Sequence, residues 1–155
     1  IVWLYTFCSI FCIIIIMKIV LQVVKNASVI IEEKLYSSIG KGYLLLVSFK
    51  EGDNEEIAEK MAQKIVKLRV FLDENGKTNL SLADVNGSIL SVSQFTIYAD
   101  LHKGNRPSYV TCLKGELASP LYVETKTGVF GADMKVNLVN DGPYTLVLDS
   151  DELGF

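Results

Sequence analysis

One histidine in 155 residues is the first scarcity of this sequence. A hydrolase built on a side-chain triad needs a base beside its nucleophile, and His102 stands in a polar loop with no orienting partner evident. Cysteine is nearly as scarce. Cys8, Cys12 and Cys112 form no CxxC pair and have no adjacent histidine cluster, so neither a disulfide framework nor a zinc site is indicated, and a reducing, cytoplasmic setting fits. HExxH, GxSxG, Walker and GxGxxG motifs are missing. Carboxylates such as Glu55-Glu56 and Asp73-Glu74 sit in surface-like contexts. Nothing here calls for a metal or a cofactor. Positive charge is short as well. Fifteen Lys+Arg against 18 Asp+Glu leave a net charge of −3 and a pI of about 5.2, which excludes coating long nucleic acid but not gripping one RNA end through a local basic patch.

What is present suits one folded domain. Half the residues are apolar and 21% are charged, enough for a real core and against global disorder. Residues 1–16 carry no charge, end in Ile13-Ile14-Ile15-Ile16 and are followed by Met17-Lys18. The run falls short of the ~20 apolar residues that span a bilayer and lacks the basic start and small-residue cleavage site of a signal peptide. Two readings stay open: upstream translation ahead of a true start at Met17, or a membrane anchor. The domain is therefore placed at residues 17–155, with residues 1–16 as an apolar extension.

The pattern predicts a mixed α+β fold. Strands are expected at 18–24 and 28–33 around a turn at Lys25-Asn26, and at 42–49, whose near-continuous apolar run suits burial on both faces. Asp53 offers an N-cap, with Glu56 three residues on. Ile57, Met61, Ile65 and Leu68 then give an apolar helix face as far as about Arg69. Lys60, Lys64 and Lys67 fall on another face, either simply solvated or facing phosphate. A hairpin is expected from Val70–Leu72 to Leu80–Leu82 around Asn75-Gly76, a strand at 88–98, and a short helix at 116–122 interrupted at Pro120. Two closing strands at 136–139 and 144–148 should flank Gly142-Pro143, a dipeptide that by itself reads as a polar turn, since proline is confined to turns, bulges and edges of sheets.

Gly142-Pro143 gains meaning from a second motif, Ser93-Gln94-Phe95-Thr96. Together with Asn140-Asp141 and Thr145, these residues resemble the SQFT and NxGPxT motifs of the D-aminoacyl-tRNA deacylases. Asn79-Leu80-Ser81, the basic loop Lys103-Gly104-Asn105-Arg106-Pro107-Ser108 and Phe130-Gly131-Ala132-Asp133-Met134 read as further segments of that family, in order and at nearly its spacing. The chain departs from it in two places. Gln22-Val23-Val24 has valine where the family carries an arginine, and about a dozen residues are missing after Tyr122, where Leu117-Ala118-Ser119-Pro120-Leu121-Tyr122 runs almost directly into Val123-Glu124-Thr125.

The resemblance implies a barrel-like, largely antiparallel sheet with one long helix, and a homodimer whose two sites lie at the subunit interface. It implies hydrolysis of D-aminoacyl-tRNA, with Ser93, Gln94, Phe95 and Thr96 at the reactive end. Gly142 and Pro143, joined by a cis bond, would reach into the partner's pocket and exclude L side chains. Phe130 and Met134 would pack on the terminal adenosine. A poverty of catalytic side chains is compatible with this chemistry, because the aminoacyl ester is already activated and has a neighbouring 2′-hydroxyl. Backbone N–H donors and correct positioning can then do much of the work. Thr96 is accordingly expected to position the ester rather than attack it. An RNA-end-binding homodimer of the same fold with impaired catalysis is the alternative, and a membrane enters only if residues 1–16 are genuine.

Overall fold

A computed structural model describes residues 17–50, 54–102, 104–109 and 125–155. Residues 1–16 and the expected helix at 116–122 lie outside them, as does Asp53.

The first strand, β1 (Lys18–Ile31), organises the sheet. It pairs along its whole length with the last strand, β8 (Met134–Asp149), and on its other edge first with β3 (Gly42–Ser48) and then with β2 (Lys34–Ile39), all antiparallel. Beyond β3 the sheet continues in parallel through β6 (Ser88–Ser93) to β7 (Thr125–Thr127). A small antiparallel pair, β4 (Phe71–Leu72) and β5 (Thr78–Leu80), forms the expected hairpin. Between β3 and β6 the chain also makes its one long helix among the described residues, α1 (Glu55–Val66). The architecture is a nearly closed, mixed and largely antiparallel barrel with a single packed helix.

Each face of the sheet carries its own core. Ile19, Leu21 and Val23 of β1 join Tyr43, Leu45 and Val47 of β3 and the helix residues Ile57, Met61 and Ile65. Val24, Ala27 and Val29 instead join Leu44, Leu90 and Val92 on the opposite face. One strand can serve both cores only if its alternation changes phase. The ladder between β1 and β8 slips twice between Gln22 and Asn26, and such a bulge moves every later side chain to the other face.

That bulge corrects the expected turn at Lys25-Asn26. These exposed polar residues look like a turn, yet the strand runs through them, and the chain reverses at Glu32 and Glu33, with φ of 49° and 63°. Gly142-Pro143 is corrected in the same sense. It lies inside β8, where Asp141 to Tyr144 stand opposite the lone Val23 of β1, so the two expected closing strands are one strand with a bulge, a place where proline is tolerated. The Gly142-Pro143 peptide bond is cis, and both residues are exposed.

Asn54 is the N-cap of α1, its Oδ1 accepting from the Ile57 N–H at 3.0 Å. The helix stops at Val66 rather than at Arg69, but Leu68 still packs on the first core. Met61 has no exposed surface. Met61→Ala should therefore cost about 2–5 kcal/mol, the range for large-to-small changes in a core. Urea melts of the two proteins check this, and a loss under about 0.5 kcal/mol would mean the wrong helix face had been assigned.

Candidate functional site

The strand expected at 88–98 ends at Ser93, because its partner β3 ends at Ser48 and offers no further ladder. Gln94 makes the last link, its N–H donating to the Val47 carbonyl at 2.7 Å. The chain then closes into a 3-10 turn over Phe95–Tyr98, held by Ile97 N–H to Gln94 O and Ala99 N–H to Thr96 O. Ser93-Gln94-Phe95-Thr96 thus straddles the corner where a buried strand emerges, and polar side chains are displayed there without leaving the scaffold.

A second segment comes to the same corner. The Gly128 N–H donates to Ser91 O at 3.1 Å, prolonging the link between β7 and β6, and residues 129–133 then cross over the end of β6 to start β8 at Met134. The result is a cleft of about 280 Å³ lined by Ser93, Gln94 and Phe95 on one side and Phe130, Asp133 and Met134 on the other. Val92 and Val136 form part of its wall. Sequence reasoning did not single these two out, although both are alternating apolar positions next to the motifs. Phe95 and Phe130 keep more than two fifths of their surface exposed, and the Phe95 ring meets Tyr109 edge-on at 5.3 Å. Exposed aromatic rims suit a flat heterocycle.

Thr96 does not line this cleft. Its hydroxyl accepts a hydrogen bond from the Gln94 side-chain amide, a neutral donor that cannot remove its proton. His102 is not isolated, as the sequence suggested: Asp100 Oδ1 takes both its backbone N–H, at 2.9 Å, and its ring Nδ1, at 2.6 Å. These two contacts hold the Asp100 carboxyl below its usual range, the backbone N–H contributing most. The pair is nevertheless exposed and absent from the cleft lining. The described residues hold no cluster of His, Cys, Asp and Glu that could bind a metal ion.

Gly142 and Pro143 are not brought to the cleft of their own chain. Six positions of β8 separate Val136 from Gly142, about 20 Å at the rise of a strand. Their loop is clamped by its neighbours. Asn140 Oδ1 accepts from the Tyr144 N–H at 3.1 Å, and Asn140 Nδ2 donates to Thr145 Oγ1 at 2.9 Å, which Gln22 Nε2 also approaches at 3.5 Å. This clamp was not foreseen, since a side chain that spans a bulge leaves no periodic signal. Val23, at the position where an arginine was missed, is buried in the first core.

Comparison with known proteins adds to this geometry. A family model described as D-Tyr-tRNA(Tyr) deacylase matches residues 20–149. A protein of Lactobacillus acidophilus named D-aminoacyl-tRNA deacylase is 51% identical over 144 residues, covering 86% of this chain and 99% of the relative. Since 86% of 155 residues is about 133, about eleven positions of that relative have no counterpart here, close in size to the shortening expected after Tyr122. Among solved structures, one titled c-Myc DNA Unwinding Element Binding Protein superposes with a TM-score of 0.75 at 37% identity, covering 84% of this chain and 97% of its own. A second, titled as a probable eukaryotic D-amino acid tRNA deacylase, does so with a TM-score of 0.71 at 13% identity, over 86% and 99%, and speaks for the fold.

Proposed function

This chain belongs to the D-Tyr-tRNA(Tyr) deacylase family, and we propose that the cleft between Ser93-Gln94-Phe95 and Phe130–Met134 is where it hydrolyses D-aminoacyl-tRNA to tRNA and free D-amino acid. The observation that carries this placement is the meeting of the two motif segments around one cleft with aromatic rims, whose carboxylate, Asp133, is paired with Lys135 at 2.7 Å. The terminal adenosine packs against Phe130 and Met134, and the ester lies toward Gln94 and Thr96. Water adds to the ester carbonyl, the bond to the ribose oxygen breaks, and that oxygen leaves with a proton. The adjacent 2′-hydroxyl serves the proton transfer, since the carboxylate in the lining, Asp133, is held by Lys135 at 2.7 Å. Ser93, Gln94 and Phe95 hold the ester in place, with Thr96 fixing the Gln94 amide, and positioning alone lowers such barriers by several kcal/mol.

Chiral selection is assigned to Gly142 and Pro143 of a second copy of this chain. Their loop is exposed, clamped by Asn140, and about 20 Å of strand away from its own cleft, so a site using both features takes them from two subunits. The unhelixed face of the sheet supports a homodimer as well. Ile31, Leu46, Met134, Val136 and Leu138 are only partly buried there, an apolar surface of the kind that subunits cover. The dimer acts on tRNA in the cytoplasm. Release of amino acid from D-tyrosyl-tRNA and from L-tyrosyl-tRNA is the test. Turnover of the D ester at least about 100-fold above the L ester, a difference of about 2.7 kcal/mol, is expected, and equal rates would sink the assignment of the chiral filter.

A further inference from the structure

A second depression, of about 480 Å³, lies at the far end of α1, and it is basic. Lys60, Lys64, Lys67 and Arg69 line it with Gln63, Leu68 and Phe155, and no carboxylate side chain of the described residues lines it. We infer that this groove binds the sugar–phosphate backbone of the tRNA stem while the aminoacylated end occupies the cleft; the inference rests on tRNA being the substrate.

Three observations carry it. First, the charges on α1 are sorted: Glu55, Glu56 and Glu59 all precede Lys60 and Lys64, with Lys67 at the C-cap and Arg69 beyond. The helix dipole favours that order, and Lys60 is held by Glu56 at 2.6 Å. Lys64 and Lys67, however, have no carboxylate partner among the described residues. In a chain of net charge −3, such a local surplus sets the face on which a polyanion can land.

Second, Arg69 is oriented. Its Nε donates to Asn79 O at 2.7 Å and its Nη2 to Asn79 Oδ1, so two of the five guanidinium donors are spent on fixing the plane. An arginine held in this way meets a phosphate at lower entropic cost than a freely rotating one.

Third, the groove is distinct from the cleft, with which it shares no lining residue. The start of α1 follows the end of β3, where Ser48 Oγ donates to Phe95 O at 3.5 Å. Its far end lies at the start of β3, where the Tyr43 hydroxyl donates to Leu68 O at 3.4 Å. The 12 residues of α1, about 18 Å of helix, thus lead to the groove on the helical face of the sheet, whereas the cleft is walled by Val92 and Val136 of the other face.

The test compares the full-length protein with Lys64→Glu/Lys67→Glu and with the milder Lys64→Gln/Lys67→Gln, on D-tyrosyl-tRNA and on D-tyrosyl-adenosine, which carries the same ester without a stem. For the charge-reversed protein the KM for the tRNA should rise about 10–100-fold with kcat unchanged, and its salt dependence should become shallower by about 2, roughly 0.9 for each phosphate no longer neutralised. The glutamine pair should show a smaller rise, and both variants should cleave D-tyrosyl-adenosine within about twofold of the unaltered protein. An unchanged KM on tRNA overturns the inference, as does an equal loss on both substrates, which would mark a folding defect. If the unaltered protein cleaves neither ester, the proposed activity fails instead. Fluorescence anisotropy with uncharged tRNA then decides the groove alone: weaker binding by the charge-reversed protein supports it, and equal binding overturns it.

Discussion

A tRNA ending in 2′-deoxyadenosine, esterified at its 3′ oxygen, should be cleaved several orders of magnitude more slowly than normal tRNA, whereas Thr96→Ala should lose only about 10–100-fold. The contrast follows from what surrounds the Thr96 hydroxyl. Its neighbour is the neutral Gln94 amide, and the one histidine, His102, is engaged with Asp100 in an exposed loop outside the cleft. A threonine nucleophile needs a base, and loss of a nucleophile or its base costs several powers of ten in rate. Loss of a hydrogen bond that positions the ester costs about 1.4–2.8 kcal/mol, the equivalent of the smaller figure. Single-turnover rates of the variant on normal tRNA and of the unaltered protein on the deoxy substrate make the comparison. A folded, tRNA-binding Thr96→Ala protein with no activity, beside full activity on the deoxy ester, would make Thr96 the nucleophile and remove the substrate's hydroxyl from the mechanism.

Gly42→Ala should be among the most damaging single substitutions for stability. Gly42 pairs with Ser88 where β3 and β6 run in parallel, and its φ is +157°. A methyl group there would stand 1.8 Å from the Ser88 carbonyl oxygen, 2.7 Å from its nitrogen and 2.8 Å from its carbonyl carbon. All three are backbone atoms, so no rotamer change relieves the clash. The Ser88 N–H also donates to Lys41 O at 3.0 Å, and pushing the strands apart sacrifices that bond. Overpacking typically costs 1–3 kcal/mol; with rigid backbone on both sides a loss of about 3 kcal/mol or more is expected, a hundredfold fall in the folded-to-unfolded ratio. Gly40→Ala is the control, since nothing lies within 4 Å of its added methyl. Urea midpoints for both variants decide the matter, and a Gly42→Ala protein within about 0.5 kcal/mol of the unaltered one would show that the strands separate freely.

Local periodicity was a good guide wherever one element faces one environment. The apolar positions Ile57, Met61 and Ile65 do bury the inner face of α1, and the continuous apolar run of β3 is covered on both sides. Periodicity misled where two environments share an element. Lys25-Asn26 and Gly142-Pro143 have the composition of turns, yet they lie in bulges of two long strands that face each other. The residues Phe95 to Tyr98 favour a strand by composition, yet turn into a 3-10 helix because the neighbouring strand has ended. Both outcomes depend on a partner distant in the chain, which no local window contains.

The candidate site divides in the same way. Ser93-Gln94-Phe95-Thr96, Phe130, Met134 and Gly142-Pro143 were all legible in the sequence through their resemblance to the family's motifs. Which of them share a cleft was decided by pairing. Residues 129–133 must cross from β7 to β8 over the end of β6, and this joins Phe130 and Met134 to Ser93–Phe95 while it leaves Gly142-Pro143 far along the strand. The sequence by itself therefore determined the inner face of α1, the buried strand β3 and the family motifs. Only the tertiary structure decided the two bulges, the Asn140 clamp, the separation of the cleft from its own Gly-Pro loop and the gathering of Lys64, Lys67 and Arg69 around one groove. The physical reason is that composition and spacing act over a few residues, whereas strand register is set by which of two apolar cores each side chain must fill.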